Sequence, residues 1–112
     1  MSISVERLGR TFFARVTGVD LTKPVSDRDL ADIRQAIRDH AVLMFPGQPF
    51  TDETQEAFAR NFGELEPGLY DPSQFTAPLG NLDEEGELLD PDSDKSKFLR
   101  ANELWHSDST YF

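Results

Sequence analysis

The spacing of apolar residues changes several times along the chain, and each change predicts a different element. Thr11 to Val16, containing Phe12 and Phe13, reads as a strand, and Gly18-Val19-Asp20-Leu21 as the turn or irregular extension that follows it. Ser26, with Asp29 three residues on, has the pattern of a capping box at a helix start. Leu30, Ile33 and Ile37 then recur at helical spacing and predict one buried stripe. Ala41 to Phe45 is a continuous apolar run ended by Pro46-Gly47. So short a run between turn residues predicts a strand buried on both faces. A second helix is expected from Thr51 or Asp52 to Phe62, with Gly63 as its stop and Phe58 and Phe62 on its inner face. Beyond Leu65 the texture becomes rich in proline, glycine and acid. Residues 66–100 read as a long, partly ordered acidic excursion, with a small hairpin where Asn81-Leu82 and Glu87-Leu88-Leu89 flank a turn at Asp83 to Gly86.

Composition narrows what such a chain does. Its 112 residues, 38% hydrophobic with nine Phe, are enough for one globular domain with a core. A net charge of −10 excludes nucleic acid and anionic membrane surfaces as partners. Seven of the 21 acidic residues fall between Asp83 and Asp94, the usual mark of a solvated loop. Asp90, Asp92 and Asp94 imitate the start of a calcium loop, but Lys95 stands where the turn Gly belongs and Ala101 where the bidentate Glu belongs. The chain has no cysteine, which removes disulfides, thiol catalysis and thiolate metal sites. Met1 to Arg10 lacks the apolar segment of a secretory signal, and no apolar run has membrane-spanning length. A soluble, cytoplasmic protein is the expectation.

The candidate chemistry lies in Trp105-His106-Ser107-Asp108. On a strand, residues two apart project from one face, so an imidazole and a carboxylate at 106 and 108 would converge on one point. One neutral nitrogen and one anionic oxygen, joined by a second His, form the facial triad that suits ferrous iron and leaves open positions for a chelating co-substrate and dioxygen. The H-x-D spacing by itself also fits a structural histidine in a hydrogen-bond network. His40, the other histidine, sits at a predicted helix end where the helix dipole favours it.

Four blocks widen the pattern: Thr17-Gly18-Val19-Asp20-Leu21; Val42-Leu43-Met44-Phe45-Pro46-Gly47-Gln48; Phe58-Ala59-Arg60-Asn61-Phe62-Gly63-Glu64-Leu65; and Asn102-Glu103-Leu104-Trp105-His106-Ser107-Asp108-Ser109. In order and spacing they resemble the TauD/TfdA family of Fe(II)- and 2-oxoglutarate-dependent dioxygenases. The resemblance implies an α+β chain forming the N-terminal part of a double-stranded β-helix, the clavaminate synthase-like jelly roll, with bracing helices. It implies His106 and Asp108 as iron ligands, 2-oxoglutarate as co-substrate, and hydroxylation of a small organic acid by dioxygen. Asn102, four residues before the metal His, matches a substrate-contacting position; a turn-forming role is the alternative. Tyr70 falls in a loop where relatives place substrate contacts; packing is its alternative. Taurine-oxidising members carry a recognition His after the third block, whereas Glu66 to Tyr70 contains none. That leans toward aryloxyalkanoates, other sulfonates or sulfate esters.

The family's distal His and its 2-oxoglutarate-binding Arg have no counterpart in the 112 residues. The whole chain, 1–112, therefore reads as the N-terminal portion of a single dioxygenase domain, inactive by itself. It should expose apolar surface and show marginal stability or self-association as a homo-oligomer. The competing reading is a non-catalytic remnant or interaction module that keeps this half of the fold.

Overall fold

The computed structural model describes residues 3–68, 71–77 and 79–108, and the chain divides into two compact units, Met1–Thr76 and Ala77–Phe112. In the first, the Ser26 cap starts helix α1 (Asp27–His40) as its spacing requires. The Ser26 hydroxyl accepts from the Asp29 backbone N–H at 3.1 Å and donates to the Asp29 carboxylate at 2.8 Å. Asp27 and Asp29 in the first turn and Arg38 and His40 in the last complement the helix dipole.

The buried stripe is narrower than the pattern predicts. Leu30, Ile33 and Ala36 are buried, whereas Ile37 is 46% exposed. The sheet that covers α1 has only three short strands, so only one line of the helix finds cover.

That sheet runs in the order β1-β2-β3. β1 (Ser4–Arg7) pairs antiparallel with β2 (Ala14–Thr17), placing Val5 opposite Val16 and Glu6 opposite Arg15. β3 (Leu43–Met44) joins β2 in parallel through the α1 crossover. The first strand was not foreseen, and β2 begins at Ala14 rather than Thr11. Phe13 adopts a positive φ of 84° and its carbonyl accepts from the Leu8 and Gly9 N–H groups, so the chain turns where a strand was expected. A Cβ at Gly9 would lie 1.9 Å from the Phe12 carbonyl oxygen, which only glycine avoids.

The Ala41 to Phe45 run needs a second correction. It is an edge, not a strand covered on both faces: only Leu43 and Met44 pair, and Val42 is half-exposed. Ala41 (φ 62°) makes a tight turn in which Val42 N–H reaches the His40 carbonyl at 2.7 Å. A continuous apolar run reports burial but not how many neighbours supply it.

The core consists of Ala14, Val16, Leu21, Leu30, Ile33 and Ala36. It is closed by a clamp that joins two of the sequence blocks. The Gln48 side chain accepts from the Leu21 N–H at 2.8 Å and donates to the Val19 carbonyl at 3.0 Å. Gln48→Ala should cost about 1–3 kcal/mol, because Leu21 is buried and its N–H loses its acceptor. Thermal unfolding would report this as a fall of several degrees; an unchanged midpoint would show that the clamp carries no weight. Beside it, the Asp20 carboxyl is lowered to about 2 by the Lys23 ammonium at 2.8 Å and by hydrogen bonds from Thr22.

Helix α2 (Asp52–Ala59) begins in a reciprocal capping box between Thr51 and Thr54 and ends in one tighter turn, Arg60–Phe62, before Gly63. Phe58 gathers Phe45, Phe50 and Phe62 around it with ring centroids 5.3–6.2 Å apart. Arg34 of α1 lies over the Phe62 ring and donates to the Asn61 carbonyl, tying the two helices together.

The second unit contains the anticipated hairpin. Leu82 bridges Leu88, Asp83 N–H donates to the Glu87 carbonyl at 2.8 Å, and Gly86 takes the positive φ (84°) that the turn requires. The excursion then forms an unforeseen helix, α3 (Asp94–Ala101), capped by Ser93. Leu79, Leu88, Phe98, Leu104 and Trp105 are largely exposed, as the expected apolar surface requires.

Candidate metal centre

Helix α3 positions the candidate residues by the way it ends. Asn102, Glu103 and Leu104 continue past Ala101 in successive turns, their N–H groups reaching the Leu99, Arg100 and Ala101 carbonyls at 3.2, 3.1 and 3.1 Å. The chain then runs irregularly through His106 and Asp108, so the pair does not lie on a strand among the described residues. Strand geometry depends on a neighbour to pair with, and the paired strands of the sheet do not include this segment.

The two side chains meet nevertheless. His106 Nδ1 lies 2.7 Å from the Leu104 carbonyl oxygen, and His106 Nε2 lies 3.3 Å from Asp108 Oδ1. A carbonyl oxygen can only accept, so Nδ1 carries the proton and, in the neutral ring, Nε2 presents its lone pair to the carboxylate. Two electron-rich atoms facing each other are satisfied by a cation, a proton on the ring or a metal ion. A ligating imidazole that donates its other N–H to a backbone carbonyl is the usual way a metal-binding His is fixed in tautomer and direction. The donor set, one imidazole nitrogen and one carboxylate oxygen, fits two positions of a ferrous site. No cluster of three or more His, Cys, Asp or Glu side chains suited to a metal occurs among the described residues.

The pair is open to solvent, with side-chain exposures of 46% for His106 and 92% for Asp108. Asn102 is the C-terminal cap of α3, exposed and in a turn. Tyr70 lies outside the described residues. Spacing alone did not reveal the Leu104 carbonyl, since a backbone acceptor leaves no signature in side-chain identity. No helix among the described residues is long and apolar enough to cross a membrane.

An α+β scaffold carrying this nitrogen–oxygen donor pair is the setting in which the comparisons with known proteins apply. The family model described as taurine catabolism dioxygenase TauD, TfdA family, matches residues 4–112. The chain belongs to the TauD/TfdA family. It is 36% identical to the alpha-ketoglutarate-dependent 2,4-dichlorophenoxyacetate dioxygenase of Burkholderia sp. (strain RASC), over 99% of this chain and 40% of that protein. It is 38% identical to the (S)-phenoxypropionate/alpha-ketoglutarate-dioxygenase of Sphingobium herbicidovorans, over 98% of this chain and 36% of that protein. Among solved structures, the complex of AAD-2 with Mn(II) and N-oxalylglycine superposes with a TM-score of 0.83 and 39% identity, over 99% of this chain and 38% of that one. The chain thus spans about two-fifths of the length of the curated relatives it matches.

Proposed function

We propose that this chain carries the proximal half of the iron site of a 2-oxoglutarate-dependent dioxygenase acting on a small aryloxyalkanoate-type organic acid. The observation that carries the reading is the His106–Asp108 pair, with Nε2 turned toward Oδ1 by the Leu104 carbonyl. In this reading His106 and Asp108 hold ferrous iron, and the three-stranded sheet belongs to a double-stranded β-helix. The chemistry that iron and 2-oxoglutarate supply at such a site is hydroxylation of a substrate C–H bond coupled to decarboxylation of the co-substrate.

The chain's own residues have positioning work. The Leu104 carbonyl holds the proton on His106 Nδ1 and keeps Nε2 free to ligate. Asn102 offers an amide donor and acceptor to an oxyanion or carbonyl of the substrate, and Tyr70 is assigned a substrate contact in the preceding loop. The aryloxyalkanoate preference draws on the relatives' named substrates and on the absence of His from residues 66–70. With two protein ligands, the 112 residues by themselves should hold Fe(II) weakly and turn nothing over.

The protein purified from its native source, supplied with Fe(II), 2-oxoglutarate and phenoxyacetate in air, should release succinate and phenol in step. Succinate release that ignores every aryloxy or sulfonate acid offered would overturn the substrate class and keep the 2-oxoglutarate chemistry; no release from a preparation whose intact mass exceeds 12.7 kDa would favour the non-catalytic interaction module instead.

A further inference from the structure

We propose that the open groove between the 81–89 hairpin and α3 recognises a small monocarboxylate with an apolar body, and that Arg100 is the cation that pairs with it. The proposal deepens the organic-acid reading above and rests on it. Leu89, Pro91 and Leu99 give the groove an apolar floor, while Asn81, Arg100 and Glu103 supply polar groups. That combination suits a flat apolar ring joined to one charged end.

The charge pattern points to Arg100. The second unit is dominated by Asp and Glu, with Lys95, Lys97 and Arg100 its basic residues. An arginine in such surroundings ordinarily finds a carboxylate. Yet among the described residues Arg100 forms no ion pair, and its guanidinium donates to the backbone carbonyl of Pro91. That bond uses one of five guanidinium donors and tethers the group at the groove. The remaining fork matches a carboxylate in two parallel hydrogen bonds. Of the unit's three basic side chains Arg100 is the one that lines the groove, so an organic anion repelled by the acidic run is compensated there. Glu103 also lines the groove, so Arg100 offsets one ligand carboxylate there while a dicarboxylate such as 2-oxoglutarate would bring a second, uncompensated charge.

The position also fits the metal pair. Arg100 and His106 are six positions apart, which bounds their Cα separation at about 20 Å, and the successive turns through Leu104 shorten it further.

The test is an NMR titration of the chain with phenoxyacetate, with its uncharged analogue phenoxyethanol, and with 2-oxoglutarate. Phenoxyacetate should shift the Leu89 and Leu99 methyls and the Arg100 Nε–H. Phenoxyethanol, 2-oxoglutarate and the Arg100→Gln variant with phenoxyacetate should each bind at least about 10-fold more weakly. Equal shifts from phenoxyethanol, shifts that survive Arg100→Gln, or no shifts in the groove would overturn the proposal. The phenoxyethanol arm uses the unmodified chain, so it decides even if the variant does not fold. Mn(II) broadening at His106 is read separately: its loss with groove binding intact removes the dioxygenase reading alone, and the converse removes the groove alone.

Discussion

Replacing His106 by alanine should lower the chain's affinity for Mn(II) at the His106–Asp108 site by roughly 100-fold. Loss of an outer partner of a metal ligand already costs about 10–100-fold, and loss of a donor belongs at or above the top of that range. Asp108→Ala should have a comparable effect, because it removes the anionic donor that faces Nε2 at 3.3 Å. His40→Ala should leave Mn(II) binding unchanged: His40 closes α1 in the first unit, where its carbonyl accepts from the Phe13 and Val42 N–H groups. Competition against a chromophoric chelator reads all three variants. Equal affinity in the wild type and in His106→Ala would place the bound ion elsewhere, with the acidic run as the obvious competitor.

The second large effect concerns the core. Ile33 is 3% exposed and sits among Ala14, Val16, Leu30 and Ala36, so Ile33→Ala should destabilise the chain by about 2–5 kcal/mol through lost burial and an unfilled cavity. Ile37, one turn further along α1, is 46% exposed, and Ile37→Ala should cost less than about 1 kcal/mol. The pattern of the sequence gives both residues the same standing on one stripe; the structure separates them. Urea denaturation of the two variants decides between these views, and similar losses would mean that Ile37 is covered in solution.

What could be read from the sequence was whatever is local. The Ser26 and Thr51 caps and the turn at Asp83 to Gly86 each follow from side chains bonding their near neighbours, and the stop at Gly63 from the positive φ a glycine takes there. The His106–Asp108 pair is named as the candidate metal site by a short run of residue types around His106. Elements that depend on distant partners were hidden. β1 is four exposed residues with no apolar alternation, and it becomes a strand only because β2 lies beside it. α3 is masked by the acidic run, and Phe98 and Leu99 are adjacent rather than helically spaced. The Gln48 clamp joins positions 27 and 29 residues apart, which no local pattern reports. The direction of His106 depends on a backbone carbonyl, equally invisible in the order of side chains.

The claim that His106 and Asp108 form a metal site is tested most directly by pulsed EPR of Mn(II) added to the chain grown with 15N-labelled histidine. The ion is the one held by the crystallised relative AAD-2. The account predicts a coupling from one imidazole nitrogen that persists in His40→Ala and disappears in His106→Ala. Bound Mn(II) with carboxylate ligands and no nitrogen coupling would put the ion on the acidic run and contradict the account.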